Sequence, residues 1–144
     1  MTDPRPRRVL FACAHNSIRS PMAAAIGNSL FAPDIEFSSV GVWPGDVNPF
    51  VMATLWEDGI DIGDHQPRSF ADLEDNPCDL IISLTPEAQH HAIELTRQEN
   101  CQAEYWPTQD PSLVHGSRET ILASFREVKE FLRGKISDRL GTQE

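Results

Sequence analysis

The sequence has little positive charge and no long apolar run. It holds 12 lysines and arginines against 22 aspartates and glutamates, a formal net charge of −10. Nucleic acids and anionic membranes are bound through basic patches, so this balance argues against both as partners. No apolar stretch approaches the length of a membrane span. The apolar run at residues 9–14 is also too short for a secretion signal, so we expect a cytoplasmic protein.

Cysteine is scarce as well, since Cys13, Cys78 and Cys101 are the only three. An odd number of thiols in a chain without a secretion signal does not predict a disulfide framework. Internal repeats and low-complexity segments are absent. The 144 residues, 40% of them apolar, suit one domain with a single core, residues 1–144, and we expect a monomer or a weak homodimer.

Apolar runs and helix-forming runs alternate along the chain. The predicted strands are residues 7–12, 35–40, 79–84 and 103–106. The predicted helices are residues 20–31, 48–58, 85–98 and 117–140, with a short helical turn at 69–74. A capping residue followed by proline marks three of the helix starts, Ser20-Pro21, Asn48-Pro49 and Thr85-Pro86. Strands that alternate with helices predict right-handed βαβ units and a parallel α/β sheet covered on both faces.

The segment "CAHNSIRS" joins the first predicted strand to the first predicted helix, and it holds Cys13 and, six positions later, Arg19. Parallel sheets bind ligands at the carboxyl ends of their strands. The backbone N–H groups of such a loop and the positive end of the helix dipole can cradle an oxyanion, while Arg19 binds two of its oxygens. These donors predict a lowered pKa for Cys13 and a thiolate nucleophile beneath a bound phosphate, with Ser20 donating to the sulfur.

Asp110, in the loop "WPTQDPS" after the fourth predicted strand, is the candidate general acid and base. Displacing an alkoxide or phenoxide needs an acid, and hydrolysing a phospho-cysteine needs a base. Two prolines flank this loop position and restrict it. Taken alone, Cys13 is more typical of a small core residue at a strand end. Its combination with Arg19 and the distant Asp110 favours catalysis.

The sequence resembles the low-molecular-weight protein tyrosine phosphatase family, which also contains the thioredoxin-linked arsenate reductases. The segments that carry the resemblance are "VLFACAHNSIRSPMAAA", "SSVGV", "GIDIGDHQPRS", "DLIISLTPEA" and "WPTQDPS". The resemblance implies a three-layer α/β/α domain with a four-stranded parallel sheet in the order 2-1-3-4. It also implies a Cys13 nucleophile, a phosphate-binding Arg19 and an Asp110 acid and base. The substrate would be a phosphorylated protein or a small phosphomonoester, and no metal or organic cofactor is implied.

The resemblance further implies supporting roles around the phosphate site. Asn16 matches the asparagine that holds the loop shape, with help from Ser39. Ser20 matches the residue that assists the thiolate, and His65 matches a position behind the loop in some members. The predicted phosphate-binding and supporting residues are Ala14, His15, Asn16, Ser17, Ile18, Ser20, Ser39, Trp43 and His65.

Several positions depart from the family pattern. His15 stands where glycine is usual, which makes the loop rim bulkier. Ile18 stands where the phosphatases often carry a second cysteine that forms a disulfide with the nucleophile. Ser112 and Leu113 follow the Asp-Pro pair, where tyrosine phosphatases often have aromatic residues.

The tryptophans are the candidates to replace those aromatic residues. Trp43 lies in a Pro-Gly loop near the expected site and is predicted to make a surface contact. Trp43 and Trp106 together are predicted to supply an aromatic wall. Trp56 follows the apolar Val51 and Leu55 on the second helix, so it is predicted to pack in the core.

Arsenate reduction by the same fold is the alternative function. Thioredoxin-linked reductases place two cysteines just after the third strand, where this sequence has Thr85-Pro86. Cys78 precedes that strand, so we expect it at the opposite edge of the sheet from Cys13. This argues against an intramolecular thiol relay and leaves a reductase that uses an external small thiol. A phosphate-binding module without catalysis is a third hypothesis.

Metal ligation is the remaining class of candidate site. Cys13 and His15 match no familiar zinc-ligand spacing when combined with any of the other candidates, His65, His90, His91 or Cys78. We therefore predict no metal site.

Overall fold

Strands and helices alternate in the computed structural model, which describes residues 5–62, 65–74 and 77–141. The strands are β1 (Arg8–His15), β2 (Glu36–Trp43), β3 (Leu80–Ser83) and β4 (Gln102–Tyr105). The helices are α1 (Arg19–Phe31), α2 (Pro49–Trp56), α3 (Pro86–Gln98) and α4 (Arg118–Leu140), with 3-10 turns at Phe70–Asp72 and Pro111–Leu113. The strands pair in parallel in the order β2-β1-β3-β4, which confirms the predicted sheet.

Helices cover both faces of this sheet. One core cluster joins Phe11 of β1 to α1, α2 and α4 through residues that include Met22 and Phe125. The other cluster lies beneath α3 and joins Leu10 of β1 to Ala88. These two clusters give the predicted three-layer α/β/α arrangement. None of the helices in the described ranges is long and apolar enough to cross a membrane.

β1 and β2 are longer than their sequence patterns predict. The apolar pattern of β1 ends at Ala12, yet Cys13 pairs with Gly41 and His15 pairs with Trp43. A neighbouring strand satisfies the backbone donors and acceptors of these residues, and local composition does not reveal such a partner. The extension places Cys13 at the carboxyl edge of the sheet, near the start of α1.

Side-chain caps begin two helices where the sequence predicts them. Asn48 accepts a hydrogen bond from Phe50 N–H at the start of α2, and Thr85 accepts one from Ala88 N–H at the start of α3. The capping prediction for Ser20 is wrong. α1 begins one residue earlier, without a side-chain cap, and Ser20 is buried inside the first turn. Its hydroxyl is therefore available to the candidate site.

The core prediction for Trp56 is wrong. Val51 and Leu55 lie on the inner face of α2 and are fully buried, whereas Trp56 is 65% exposed. Met52, one turn earlier, is exposed too, because residues four positions apart share a helix face. The apolar composition of α2 conceals this division between an inner and an outer face.

Candidate active site

Cys13 lies at the floor of the loop between β1 and α1. The residue is 1% exposed, and its Sγ lies 2.9 Å from the Ser20 hydroxyl oxygen. The thiol also donates a hydrogen bond to the His15 carbonyl oxygen, which accepts a second one from Ser17 N–H. A neutral thiol can donate in this way and a thiolate cannot.

Burial dominates the acidity of this thiol. Desolvation raises the pKa of Cys13 above its ordinary value, because water no longer stabilises the thiolate. The hydroxyl and N–H groups of Ser20, the charge of Arg19 and the N–H group of Ser17 lower the pKa but do not outweigh burial. The predicted lowering of the Cys13 pKa is therefore wrong for this loop conformation. The donors lie where the sequence predicts them, but the extent of burial follows from packing.

Asn16 ties the loop to its surroundings. Its Nδ2 donates to the hydroxyls of Ser20, at 2.9 Å, and Ser39, at 3.0 Å. Its Oδ1 accepts a hydrogen bond of 2.9 Å from the backbone N–H of Arg68. The residue is fully buried, so each of these bonds forms out of contact with water. This arrangement fits the loop-holding role that the resemblance implies.

Two further side chains support the loop from behind. His65 Nε2 lies 3.3 Å from the Asn16 carbonyl oxygen, and burial lowers the pKa of His65 because it favours the neutral ring. Arg68 Nη2 donates to the Ser39 carbonyl oxygen at 3.3 Å. The sequence analysis did not single out Arg68. The only sequence signal for Arg68 was its place in the segment "HQPRS". The sequence around an arginine in a polar loop does not show which backbone groups the side chain will bind.

Gly41 marks the closest approach of β2 to the loop. A Cβ atom at this position would overlap the Asn16 backbone nitrogen and lie 2.9 Å from the His15 carbonyl carbon. Only glycine fits there, because every other residue carries that atom. The sequence analysis missed this role, although the segment "SSVGV" contains the residue.

Arg19 and Asp110 meet at the same edge of the sheet. Arg19 Nη2 lies 3.8 Å from Asp110 Oδ2, and Arg19 Nη1 donates a hydrogen bond of 3.0 Å to the Thr108 carbonyl oxygen. Both side chains are mostly shielded from water, at 15% and 26% exposure. The structure thus brings the loop that holds Cys13 and the loop after β4 to one site, although 91 positions separate Arg19 from Asp110 in the numbering.

The exposed rim of the site is aromatic on one side. Trp43 is 53% exposed and its ring lies 5.5 Å from the ring of His15, centroid to centroid. Leu113 is 72% exposed in the turn that follows the Asp-Pro pair. The prediction that Trp106 forms a second wall is wrong. It is buried against Phe11 at a centroid distance of 5.9 Å, because it belongs to the core beneath β4.

The other predicted loop residues, Ala14, Ser17 and Ile18, are buried or half-buried. Ala14 and Ile18 are buried, and Ile18 belongs to the larger core cluster. The Ser17 carbonyl oxygen accepts a hydrogen bond of 3.0 Å from Asn48 N–H, which joins the loop to the start of α2. Ala14 and Ile18 therefore pack beneath the loop, whereas Ser17 is half-buried.

The remaining thiols lie at the opposite edge of the sheet. Cys78 precedes Asp79, whose carboxylate accepts hydrogen bonds from the backbone N–H groups at the start of β1. Burial, together with the neighbouring Cys101, raises the pKa of Cys78 to about 12. Cys78 therefore lies at the edge opposite Cys13, as expected, and Cys101 lies beside it. Across the described ranges, no group of three metal-ligating side chains occurs.

Comparisons with known proteins agree with this architecture. The model of the family described as low molecular weight phosphotyrosine protein phosphatase matches residues 8–138. An arsenate reductase of Staphylococcus xylosus is 31% identical over 110 residues, which are 74% of this chain and 79% of the relative. The solved low molecular weight protein tyrosine phosphatase from T. tengcongensis is 25% identical, with a TM-score of 0.74, over 92% of this chain and 96% of that one. A solved arsenate reductase in its phosphate-binding state is 27% identical, with a TM-score of 0.68. That match covers 92% of this chain and 98% of the reductase.

Proposed function

Because the chain belongs to the low molecular weight phosphotyrosine protein phosphatase family, we propose that it is a cysteine-dependent phosphomonoester hydrolase. The observation that carries the proposal is the convergence of three groups. The Cys13 thiol is buried at the floor of the loop, the charge of Arg19 acts on it, and Arg19 faces Asp110 at 3.8 Å. This set supplies a nucleophile, a phosphate ligand and a proton donor without a metal.

The first proposed step transfers the phosphoryl group to sulfur. Arg19 and the loop N–H groups bind the phosphate oxygens, and the Cys13 thiol gives its proton to a phosphate oxygen of the dianionic ester. The resulting thiolate attacks phosphorus in line with the ester oxygen. The new S–P bond replaces the P–O ester bond, and protonated Asp110 gives its proton to the departing oxygen. The Ser20 hydroxyl, which lies 2.9 Å from Sγ and 3.2 Å from the Val40 carbonyl oxygen, would turn its proton to the thiolate and so oppose the effect of burial.

The second proposed step releases phosphate. The Asp110 carboxylate accepts a proton from water, whose oxygen attacks phosphorus, and the S–P bond breaks to restore the thiolate. Asn16, Ser39 and His65 hold the loop through both steps, through the hydrogen bonds described above. Trp43 contacts the organic part of the substrate, which is a phosphorylated protein or a small phosphomonoester.

Hydrolysis of an aryl phosphate in the presence of a chelator tests this proposal. Wild-type protein should release phosphate, and Cys13→Ser should abolish the release. Cys101→Ser is the matched control, because it removes a thiol at the far edge of the sheet and should leave the rate unchanged. Equal rates for wild type and Cys13→Ser would contradict the mechanism.

Arsenate reduction is the second candidate, favoured by relatives such as the arsenate reductase of Staphylococcus xylosus. Arsenate would bind Cys13 as phosphate does, and two equivalents of an external thiol would reduce it to arsenite, with one disulfide and one water as the other products. Arsenate-dependent oxidation of added glutathione measures this activity. Its absence beside good aryl phosphate hydrolysis would exclude this candidate.

A further inference from the structure

Ser112 binds one oxygen of the Asp110 carboxylate with two donors. Asp110 Oδ1 accepts a hydrogen bond of 2.9 Å from Ser112 N–H and one of 2.6 Å from the Ser112 hydroxyl. The other oxygen, Oδ2, faces Arg19 Nη2 at 3.8 Å. The two oxygens of this carboxyl group therefore differ, because one is held by the protein turn and the other is directed toward the site.

The turn that carries Ser112 is anchored to the fold. Pro111 follows Asp110 directly and is buried. Its carbonyl oxygen lies 3.3 Å from Ser124 Oγ on α4, whose shorter hydrogen bond, of 2.6 Å, goes to the Ile121 carbonyl oxygen. Ser124 is buried. The next turn closes through a hydrogen bond of 3.3 Å from Leu113 N–H to the Asp110 carbonyl oxygen. The backbone of Ser112 is thus held by the turn, and its exposed hydroxyl is held by the hydrogen bond to Asp110.

The two donors determine where a proton can lie on Asp110. An oxygen that already accepts two short hydrogen bonds has no lone pair left for a proton, because a carboxyl oxygen has two accepting positions. Protonated Asp110 therefore carries its proton on Oδ2, the oxygen nearer the phosphate site. Without the hydroxyl, Oδ1 keeps a single bond from the backbone, and the proton is shared between both oxygens and two orientations of the carboxyl group.

We propose that Ser112 is a positioning residue that holds the acidic proton of Asp110 on Oδ2, ready for transfer to the leaving group. The proposal rests on the hydrolase function proposed above. It also gives a reason for a serine at position 112, where the family often has an aromatic residue. A small hydroxyl at position 112 orients the acid, and an aromatic side chain at that position lacks this short reach.

The leaving group distinguishes this role from a general structural one. A phenol of low pKa departs without protonation, whereas phenol itself, with a pKa of about 10, needs an acid. Loss of the Ser112 hydroxyl should therefore slow substrates with basic leaving groups and spare those with acidic ones. A loss of folding or of phosphate binding would slow all substrates alike.

The experiment measures kcat/KM for a series of aryl phosphates from 2,4-dinitrophenyl phosphate to phenyl phosphate. For Ser112→Ala we expect a loss of about 10-fold with phenyl phosphate and of less than about 2-fold with the dinitrophenyl ester, a steeper dependence on leaving-group pKa. Ser112→Thr keeps the hydroxyl and should show the same dependence of kcat/KM on leaving-group pKa as the wild type. Inhibition by inorganic phosphate should be the same for all three proteins, since the anion site is intact.

Two results would overturn the role of Ser112 alone. One is an equal loss of kcat/KM for every ester of the series in Ser112→Ala. The other is a dependence of kcat/KM on leaving-group pKa that is as steep in Ser112→Thr as in Ser112→Ala. Failure of the hydrolase function would look different, because wild-type protein would then hydrolyse none of the esters, or Cys13→Ser would hydrolyse them as well. That result would contradict both proposals.

Discussion

Asn16 donates a hydrogen bond of 3.0 Å to Ser39 and so joins the loop above Cys13 to the central part of β2. Both residues are buried, at 0% and 5% exposure, so water cannot replace either partner. Since the loop backbone would contact the phosphate, this bond couples the stability of the sheet to the shape of the site.

Ser39→Ala should therefore lower both stability and activity. The substitution leaves one Asn16 N–H group buried without a partner, which costs about 1–3 kcal/mol of unfolding free energy. Urea denaturation measures this loss, and Ser38→Ala is the matched control, because Ser38 is half-buried and should change stability by less than about 0.5 kcal/mol. Equal losses of unfolding free energy for the two substitutions would show that the Asn16–Ser39 hydrogen bond does not stabilise the fold.

Trp43→Ala should weaken the binding of aryl substrates. An aromatic contact contributes about 0.5–1.5 kcal/mol, so KM for an aryl phosphate should rise about 2- to 10-fold. The inhibition constant of inorganic phosphate should not change, because phosphate has no ring. Trp56→Ala is the control, since Trp56 is similarly exposed but lies on the outer face of α2. The role of Trp43 would be refuted if both variants raised KM equally.

Removal of the far thiols should leave the chemistry intact. Cys78→Ala combined with Cys101→Ala removes both cysteines at the edge opposite Cys13, and we expect unchanged rates of aryl phosphate hydrolysis. Any arsenate reduction with external glutathione should also persist. Loss of arsenate reduction alone would reveal a thiol relay within the chain, contrary to the positions of these residues.

His65 should make stability depend on pH. The pKa of its folded form lies below the ordinary 6.5, so the unfolded chain takes up a proton first as the pH falls. Wild-type protein therefore loses stability below pH 6.5, and the loss is complete below the folded pKa. His65→Gln does not have this titration.

Urea denaturation at several pH values checks this prediction. The unfolding free energy of wild type minus that of His65→Gln should be constant above pH 6.5 and should fall below it. All other titrating groups are common to both proteins and cancel in the difference. A difference that rises on acidification would mean that the fold favours protonated His65 instead.

Lys129→Met should cost little despite the burial of Lys129. Its Nζ binds Asp58 at 3.0 Å and the Thr54 carbonyl oxygen at 3.3 Å. Losing the partner of a buried charge typically costs about 3–5 kcal/mol. Here the charge left behind, on Asp58, is not buried, because its side chain is 33% exposed and keeps a bond of 2.7 Å to Arg133. We therefore expect a loss of about 1 kcal/mol, from the Thr54 carbonyl oxygen alone.

Chemical denaturation of Lys129→Met measures that loss, with Lys135→Met as the control on the same helix. Lys135 is exposed and lies 5.4 Å from the Trp106 ring centroid, so its replacement should cost about 0.5 kcal/mol. A loss of about 3–5 kcal/mol for Lys129→Met would mean that Arg133 does not compensate Asp58.

Local patterns were sufficient for most of the fold. The buried run of β3 and the caps Asn48 and Thr85 act through neighbours in sequence, so composition predicts them. Features that depend on distant partners were missed. The extension of β1 to His15 depends on pairing with β2, and Trp56 faces outward because of how α2 packs.

The same division applies to the site. Cys13, Arg19 and Asp110 carry their chemistry in their side chains, and the sequence singles them out. Arg68 acts through its own backbone N–H group and by binding the Ser39 carbonyl oxygen, and Gly41 acts by having no Cβ atom, so neither has a local signature. The acidity of Cys13 depends on how much water reaches the sulfur, which only the packed structure determines.

The order of strands in the sheet has a consequence for how the chain folds. β1 pairs with β2 and β3, and Val9 meets Leu80 across about half the length of the chain. Among the described residues no two strands are joined by a hairpin, so each pairing must close a long loop, which slows folding. During synthesis β1 therefore cannot pair with its second neighbour until β3 has been made, and the apolar residues of β1 are exposed until then. The contact between Arg19 and Asp110 would form after this late closure when the chain refolds from denaturant, since Asp110 reaches Arg19 only when β3 and β4 are in place.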